Sequence, residues 1–195
     1  MRVYAPNGAP EALLIYITSR EEEPLPAPES PRPYALAVFE VDDWKRALSP
    51  WEAEGFPGGG QETLTRLLDE LSSLPTDVPR YLGGYSLAGL FALWAFHESD
   101  AFAGCAAVSG SFWYPGLVDY VQSAPLSPES RVYLSLGRQE HKSRNRQMRS
   151  VKTSLNALYD HYAPLCHCKL EWNEGNHFTE PTERLRKGFA WLMKS

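Results

Sequence analysis

Apolar residues along this chain fall into two kinds of run. Short, nearly unbroken ones rich in β-branched and aromatic residues occur at 12–18 (ALLIYIT), 34–41 (YALAVFEV), 80–85 (RYLGGY), 104–110 (GCAAVSG), 131–137 (RVYLSLG) and 167–172 (HCKLEW). For most of them, length and lack of alternation predict strands buried on both faces. Elsewhere the apolar residues recur at helical spacing: Leu64, Leu67, Leu68, Leu71 and Leu74 in a helix expected over 61–74, then Met148, Val151, Leu155, Leu158 and Tyr162, then Leu185, Phe189 and Leu192. Each set marks the apolar face of an amphipathic helix. The stretch 87–96, LAGLFALWAF, is apolar nearly all round, which predicts a central helix packed into the sheet. Strands alternating with helices predict an α/β fold: a mostly parallel sheet of about six strands with helices on both faces.

One interval breaks the alternation. Residues 20–33, REEEPLPAPESPRP, carry five prolines and four glutamates, so the first crossover is expected to be a loop or a single turn. The Gly-rich GFPGGG at 55–60 reads as a loop leading into the next helix, since it lacks the Lys-Ser/Thr ending of a phosphate-binding loop. No internal repeat or composition shift divides the chain, and residues 1–195 are expected to form a single domain.

A net charge of −5 and a pI near 5.6 argue against a nucleic-acid partner, which clustered Lys and Arg would have to hold. No apolar stretch approaches the length of about 20 residues that spans a bilayer, so no membrane partner is expected. The start MRVYAPNGAP has neither the basic nor the apolar region of a secretion signal, and three cysteines form no even framework; a cytoplasmic location is expected. The pair in CHC, Cys166 and Cys168, is spaced for one face of a strand rather than for a zinc site. No metal or organic cofactor is expected.

The candidate chemistry centres on Ser86, in GGYSLAG between a strand and the apolar helix. A nucleophile elbow needs this arrangement, because a serine in a strained strand-to-helix turn tolerates only small flanking residues. Ala88 stands where the usual G-x-S-x-G has its second glycine. A serine nucleophile requires a base, and the base an orienting acid. Two loops after later strands supply them in that order: Glu140 in LGRQEHKSRN, and His177 in NEGNHFTEP before the last helix, with Glu174 as a competing acid. His97 and His161 lie on helices and read as structural, His167 belongs to a strand start, and His141 adjoins Glu140. The N–H of Leu87 is the first expected oxyanion donor, with a second from Thr18 or Ser19 after the first central strand. Trp44, Trp113, Tyr114, Tyr85 and Phe178 gather where ligands bind in open α/β sheets, and each reads as either a pocket wall or a loop anchor.

These segments resemble an esterase family of the α/β-hydrolases that includes esterase-D-like enzymes, feruloyl and acetyl-xylan esterases, and siderophore esterases. The resemblance runs over residues 11–193 through GYSLAGLFAL, SGSFWYPG, KRALSPW, LSLGRQE and GNHF. It implies a minimal α/β-hydrolase fold with Ser86 as nucleophile, His177 as general base and Glu140 as acid. Ala47 departs from it, standing where the family often has Asp. Some siderophore esterases of the group depend little on an acid, which leaves the weight of Glu140 open. The function expected is a serine carboxylesterase acting on a small-molecule ester. The same triad serves an acyltransferase, and a degenerate hydrolase acting as a binding module is the reading of another class.

Overall fold

The computed structural model describes residues 1–4, 9–19, 28–30, 32–142 and 148–194. Its strands are β1 (Arg2–Tyr4), β2 (Leu13–Ser19), β3 (Ala35–Val41), β4 (Glu52–Ala53), β5 (Phe56–Pro57), β6 (Arg80–Tyr85), β7 (Gly104–Val108), β8 (Arg131–Gly137) and β9 (His167–Asn173). The helices are α1 (Trp44–Leu48), α2 (Gly60–Leu71), α3 (Leu87–Glu98), α4 (Leu117–Ser123), α5 (Val151–Tyr162) and α6 (Pro181–Leu192).

Seven strands make one sheet in the order β1-β3-β2-β6-β7-β8-β9. Every pairing is parallel except that of β1 with β3. The six strands expected from the apolar runs are all present; β1 adds an antiparallel edge that three exposed residues could not announce. Most of the proline-rich first crossover, 20–27 and 31, lies outside the described residues. GFPGGG contributes β5, which pairs with β4, and the first residue of α2. The 104–110 run ends as a strand at Val108, because Ser109 turns to a φ of 43°. A 3₁₀ turn at Met148–Ser150 precedes α5.

The two faces of the sheet are covered unequally. Alternate residues of the strands, among them Ile15, Phe39, Leu82, Ala107 and Leu134, pack into one core with α1 to α5; Leu14, Val38, Tyr81, Ala106 and Tyr133 pack beneath α6. Helix α3 is buried from Leu87 to Phe96, as a helix apolar on every side must be. Consecutive glycines in β6 let both layers approach. A Cβ at Gly83 would lie 2.6 Å from the Phe189 ring of α6, and one at Gly84, on the opposite face, 2.6 Å from the Ala88 backbone of α3.

The chain leaves β2 for β3 on one side and returns to β6 on the other. The strand order therefore reverses between the C-terminal ends of β2 and β6, the place where open α/β sheets bind ligands. Ser86 follows β6 there.

Candidate active site

Ser86 links β6 directly to α3 with φ 59° and ψ −119°, a conformation rare for any residue with a side chain. Three backbone bonds fix it. Its N–H donates to the Val108 carbonyl at 3.1 Å, and its carbonyl accepts from Ser111 N–H at 3.0 Å and Leu90 N–H at 3.1 Å. The side chain makes no capping bond to α3. Instead, Ser86 Oγ lies 3.0 Å from His177 Nε2.

Ala88 fits because the close approach falls elsewhere. Gly84 faces the Ala88 methyl and backbone, and a Cβ at Gly89 would be 3.0 Å from the Gly84 carbonyl oxygen. These two glycines carry the strand-to-helix contact, and the methyl of Ala88 fills the space above Gly84.

His177 sits in the loop between β9 and α6. Its Nδ1 is 2.7 Å from Glu140 Oε2, in the turn that follows β8. A carboxylate acceptor requires Nδ1 to carry the proton, which leaves Nε2 to accept from the Ser86 hydroxyl. The loop is shaped locally: Gly175 takes φ 84°, and Asn176 Oδ1 accepts from Phe178 N–H at 2.9 Å. Glu174, the competing acid, points away, exposed and paired with Arg138 at 3.0 Å.

Burial pushes the Glu140 carboxyl up. Hydrogen bonds from His177 and from the Gly137 N–H, at 2.6 Å, together with the charge of His177 and a bond from Ser109, outweigh it and hold the group below its ordinary value. Burial likewise raises Tyr85, whose hydroxyl donates to the His177 carbonyl at 2.7 Å.

The helical pattern of the last segment gave no role to Arg184, yet this residue is 2% exposed and stands under the site. One terminal nitrogen reaches Glu140 Oε1 at 3.0 Å, Ser109 Oγ at 3.0 Å and Tyr85 Oη at 3.3 Å. The other donates to the carbonyls of Glu174 at 2.7 Å and Asn176 at 3.0 Å. Among the described residues, the non-glycine positions with positive φ are Ser86, Ser109 and Glu180, at or beside these loops.

A cavity of about 470 Å³ opens beside Ser86. His177, Glu140, Trp113 and Phe178 line it, as do Ser109, Ser111, Gln139, Lys142, Met148 and Asn176, none of which the motifs had singled out as binding residues. Trp44, Tyr85, Tyr114, Leu87, Thr18 and Ser19 are not among its lining residues. Trp44 is half-buried against the core at the start of α1. Tyr114 is 2% exposed and donates to the Trp51 carbonyl, so it anchors its loop. Tyr85 meets the site through its hydroxyl, which donates to the His177 carbonyl. Leu87 opens α3 beside Ser86, while Thr18 is buried and Ser19 half-buried at the end of β2, which pairs with β6 as far as Ile17 and Gly84.

Among the described residues, no group of three or more His, Cys, Asp or Glu is placed to hold a metal ion. Cys166 precedes β9 and Cys168 lies within it; burial raises their thiols to about 11 and about 12.

No protein-family model matches the chain, and no curated protein matches it in sequence. Solved structures do. An IroE-like serine hydrolase from Shewanella oneidensis superposes with a TM-score of 0.78 at 12% identity, over 98% of this chain and 74% of that one. The siderophore hydrolase EstB from Aspergillus nidulans gives 0.69 at 17% identity, over 97% of this chain and 85% of that one. The enterobactin esterase FES from Shigella flexneri gives 0.67 at 18% identity, over 97% of this chain and 54% of that one. The chain has the α/β-hydrolase fold. Ser86 lies in the turn that joins a central strand of that fold, β6, to the helix after it, α3.

Proposed function

We propose that this chain is a serine hydrolase of carboxylic esters, with Ser86 as nucleophile, His177 as general base and Glu140 as the acid that orients it. The observation that carries the reading is the unbroken line from Ser86 Oγ through His177 to Glu140 Oε2, with spacings of 3.0 and 2.7 Å, at a strained turn beside a cavity. Ser86 Oγ attacks the ester carbonyl carbon, the carbonyl π pair moves onto oxygen, and His177 Nε2 takes the hydroxyl proton. The tetrahedral intermediate collapses, the alcohol leaves with that proton, and an acyl-enzyme on Ser86 remains. Water then attacks it by the same route in reverse. Glu140, ionised and buried, steadies the imidazolium that forms twice per cycle.

The developing oxyanion takes the Leu87 N–H at the start of α3, where the helix dipole favours negative charge, and a second N–H from Thr18 or Ser19. Trp113 and Phe178 wall the cavity that receives the organic part of a small-molecule ester. The siderophore hydrolases among the structural neighbours make siderophore esters the first to try after simple aryl esters. Three free thiols accord with a cytoplasmic setting.

Ser86→Ala tests the reading. Hydrolysis of p-nitrophenyl acetate should fall by about 10⁵-fold with the thermal melt unchanged. Full turnover in that variant would sink it.

A further inference from the structure

We propose that Arg184 is a positioning residue for the hydrolysis: its guanidinium sets the acid loop after β8 in register with the histidine loop before α6. The inference rests on the reading of Ser86, His177 and Glu140 given above. Glu140 and His177 arrive on separate loops, and a hydrogen bond at 2.7 Å between them has no tolerance for one loop sliding past the other. Arg184 touches both. One terminal nitrogen holds Glu140 Oε1 while the other holds the carbonyls on either side of Gly175 in the histidine loop. Through Tyr85, which donates to the His177 carbonyl, it also reaches β6; through Ser109 it reaches the strained turn after β7.

The chain leaves room for this group. A Cβ at Gly137 would lie 2.8 Å from the Gly175 carbonyl oxygen, 2.9 Å from Glu140 Oε1 and 3.0 Å from the Arg184 nitrogen, so a side chain at the end of β8 would crowd the histidine loop and the pair together. Stability alone is a poor account of it. Burying an arginine at 2% exposure against a carboxylate at 5% incurs a desolvation penalty that a well-packed apolar pair would avoid. What an apolar pair cannot do is hold one carboxylate oxygen so that the other faces an imidazole N–H. The planar fork of arginine bonds several acceptors from a fixed geometry, and lysine, a single point charge, does not reproduce it.

The test measures kcat and KM for p-nitrophenyl acetate, the rate of fluorophosphonate labelling and thermal melts in Arg184→Met and Arg184→Lys, each with Glu140 intact and with Glu140→Gln. With Glu140 intact, Arg184→Met should lower kcat and the labelling rate about 100-fold at nearly constant KM, and Arg184→Lys should recover part of the loss. In the Glu140→Gln background Arg184→Lys should cost less than about threefold more, because there is no ionised acid left to position. The same loss in both backgrounds, or a loss confined to KM, overturns the proposal. Should Arg184→Met fail to melt cooperatively, Arg184→Lys and Tyr85→Phe decide, the latter with an expected loss of about fivefold in kcat. Ser86→Ala, measured alongside, separates the two failures. If it keeps turnover, the hydrolase reading falls and the positioning role with it; if it loses turnover while the Arg184 variants do not, the positioning role alone falls.

Discussion

Helices α3 and α6 pack on opposite faces of β6, each admitted by one of two consecutive glycines, and they secure the site by different physics. Helix α3 presents Ser86 by packing and backbone hydrogen bonds, with no charged group: its residues from Leu87 to Phe96 are buried and apolar, and Gly84 and Gly89 bring strand and helix backbones together. Helix α6 carries a buried cation, and Arg184 ties the loops that hold His177 and Glu140 with charge-assisted bonds. Contact fixes one atom at one place, whereas a fork of donors fixes several loops relative to each other. The nucleophile side should therefore break on added volume, and the base-and-acid side on lost charge.

The largest effect expected on the α6 side comes from His177→Ala, which should lower kcat on an aryl ester by about 10⁵-fold and cost no more when combined with Ser86→Ala. Additive losses in steady-state kinetics would separate the two residues and break the comparison. Next, Glu140→Gln should lower kcat by about 10³-fold, since it keeps the shape and removes the charge. It also carries a pH signature. The folded carboxyl lies below its ordinary value, so its contribution to stability is present above the unfolded value of about 4.3 and is lost as pH falls through the folded one. The difference in urea midpoint between wild type and Glu140→Gln should therefore shrink below about pH 4; a difference constant down to pH 2 would contradict it.

On the α3 side, Gly84→Ala adds no charge and removes none. Its methyl would sit 2.6 Å from the Ala88 backbone, and parting α3 from β6 should cost about 1–3 kcal/mol in a urea titration along with slower labelling of Ser86. A silent Gly84→Ala would mean that contact does not position the nucleophile. The smallest effect belongs to Phe178→Ala. That ring is 86% exposed and meets the His177 ring edge-on at 5.5 Å, so stability should move by no more than about 0.5 kcal/mol while KM shifts a fewfold.

The same contrast explains what the amino-acid sequence disclosed. The fold was legible because parallel strands buried on both faces are unbroken apolar runs, and α3 is apolar on every side. Strands of two or three residues, such as β1, β4 and β5, have no periodicity to read. Ser86, Glu140 and His177 stood out because each follows a strand at a place the chemistry needs, and the structure brings the three within hydrogen-bonding distance. Arg184 did not, because an arginine in an amphipathic helix ordinarily faces water; its one sign was its place beside Leu185 and four residues before Gly188, on the buried stripe. The aromatics were ambiguous by nature. Trp113 and Tyr114 are neighbours in one loop, and one lines the cavity while the other anchors the turn through Trp51.

The most direct measurement is fluorophosphonate labelling of the wild-type chain followed by peptide mapping. Ser86 should be the modified residue, with labelling abolished in Ser86→Ala and slowed by orders of magnitude in His177→Ala. Labelling at any other serine, or none at all in the folded protein, would contradict the assignment of Ser86 as the nucleophile.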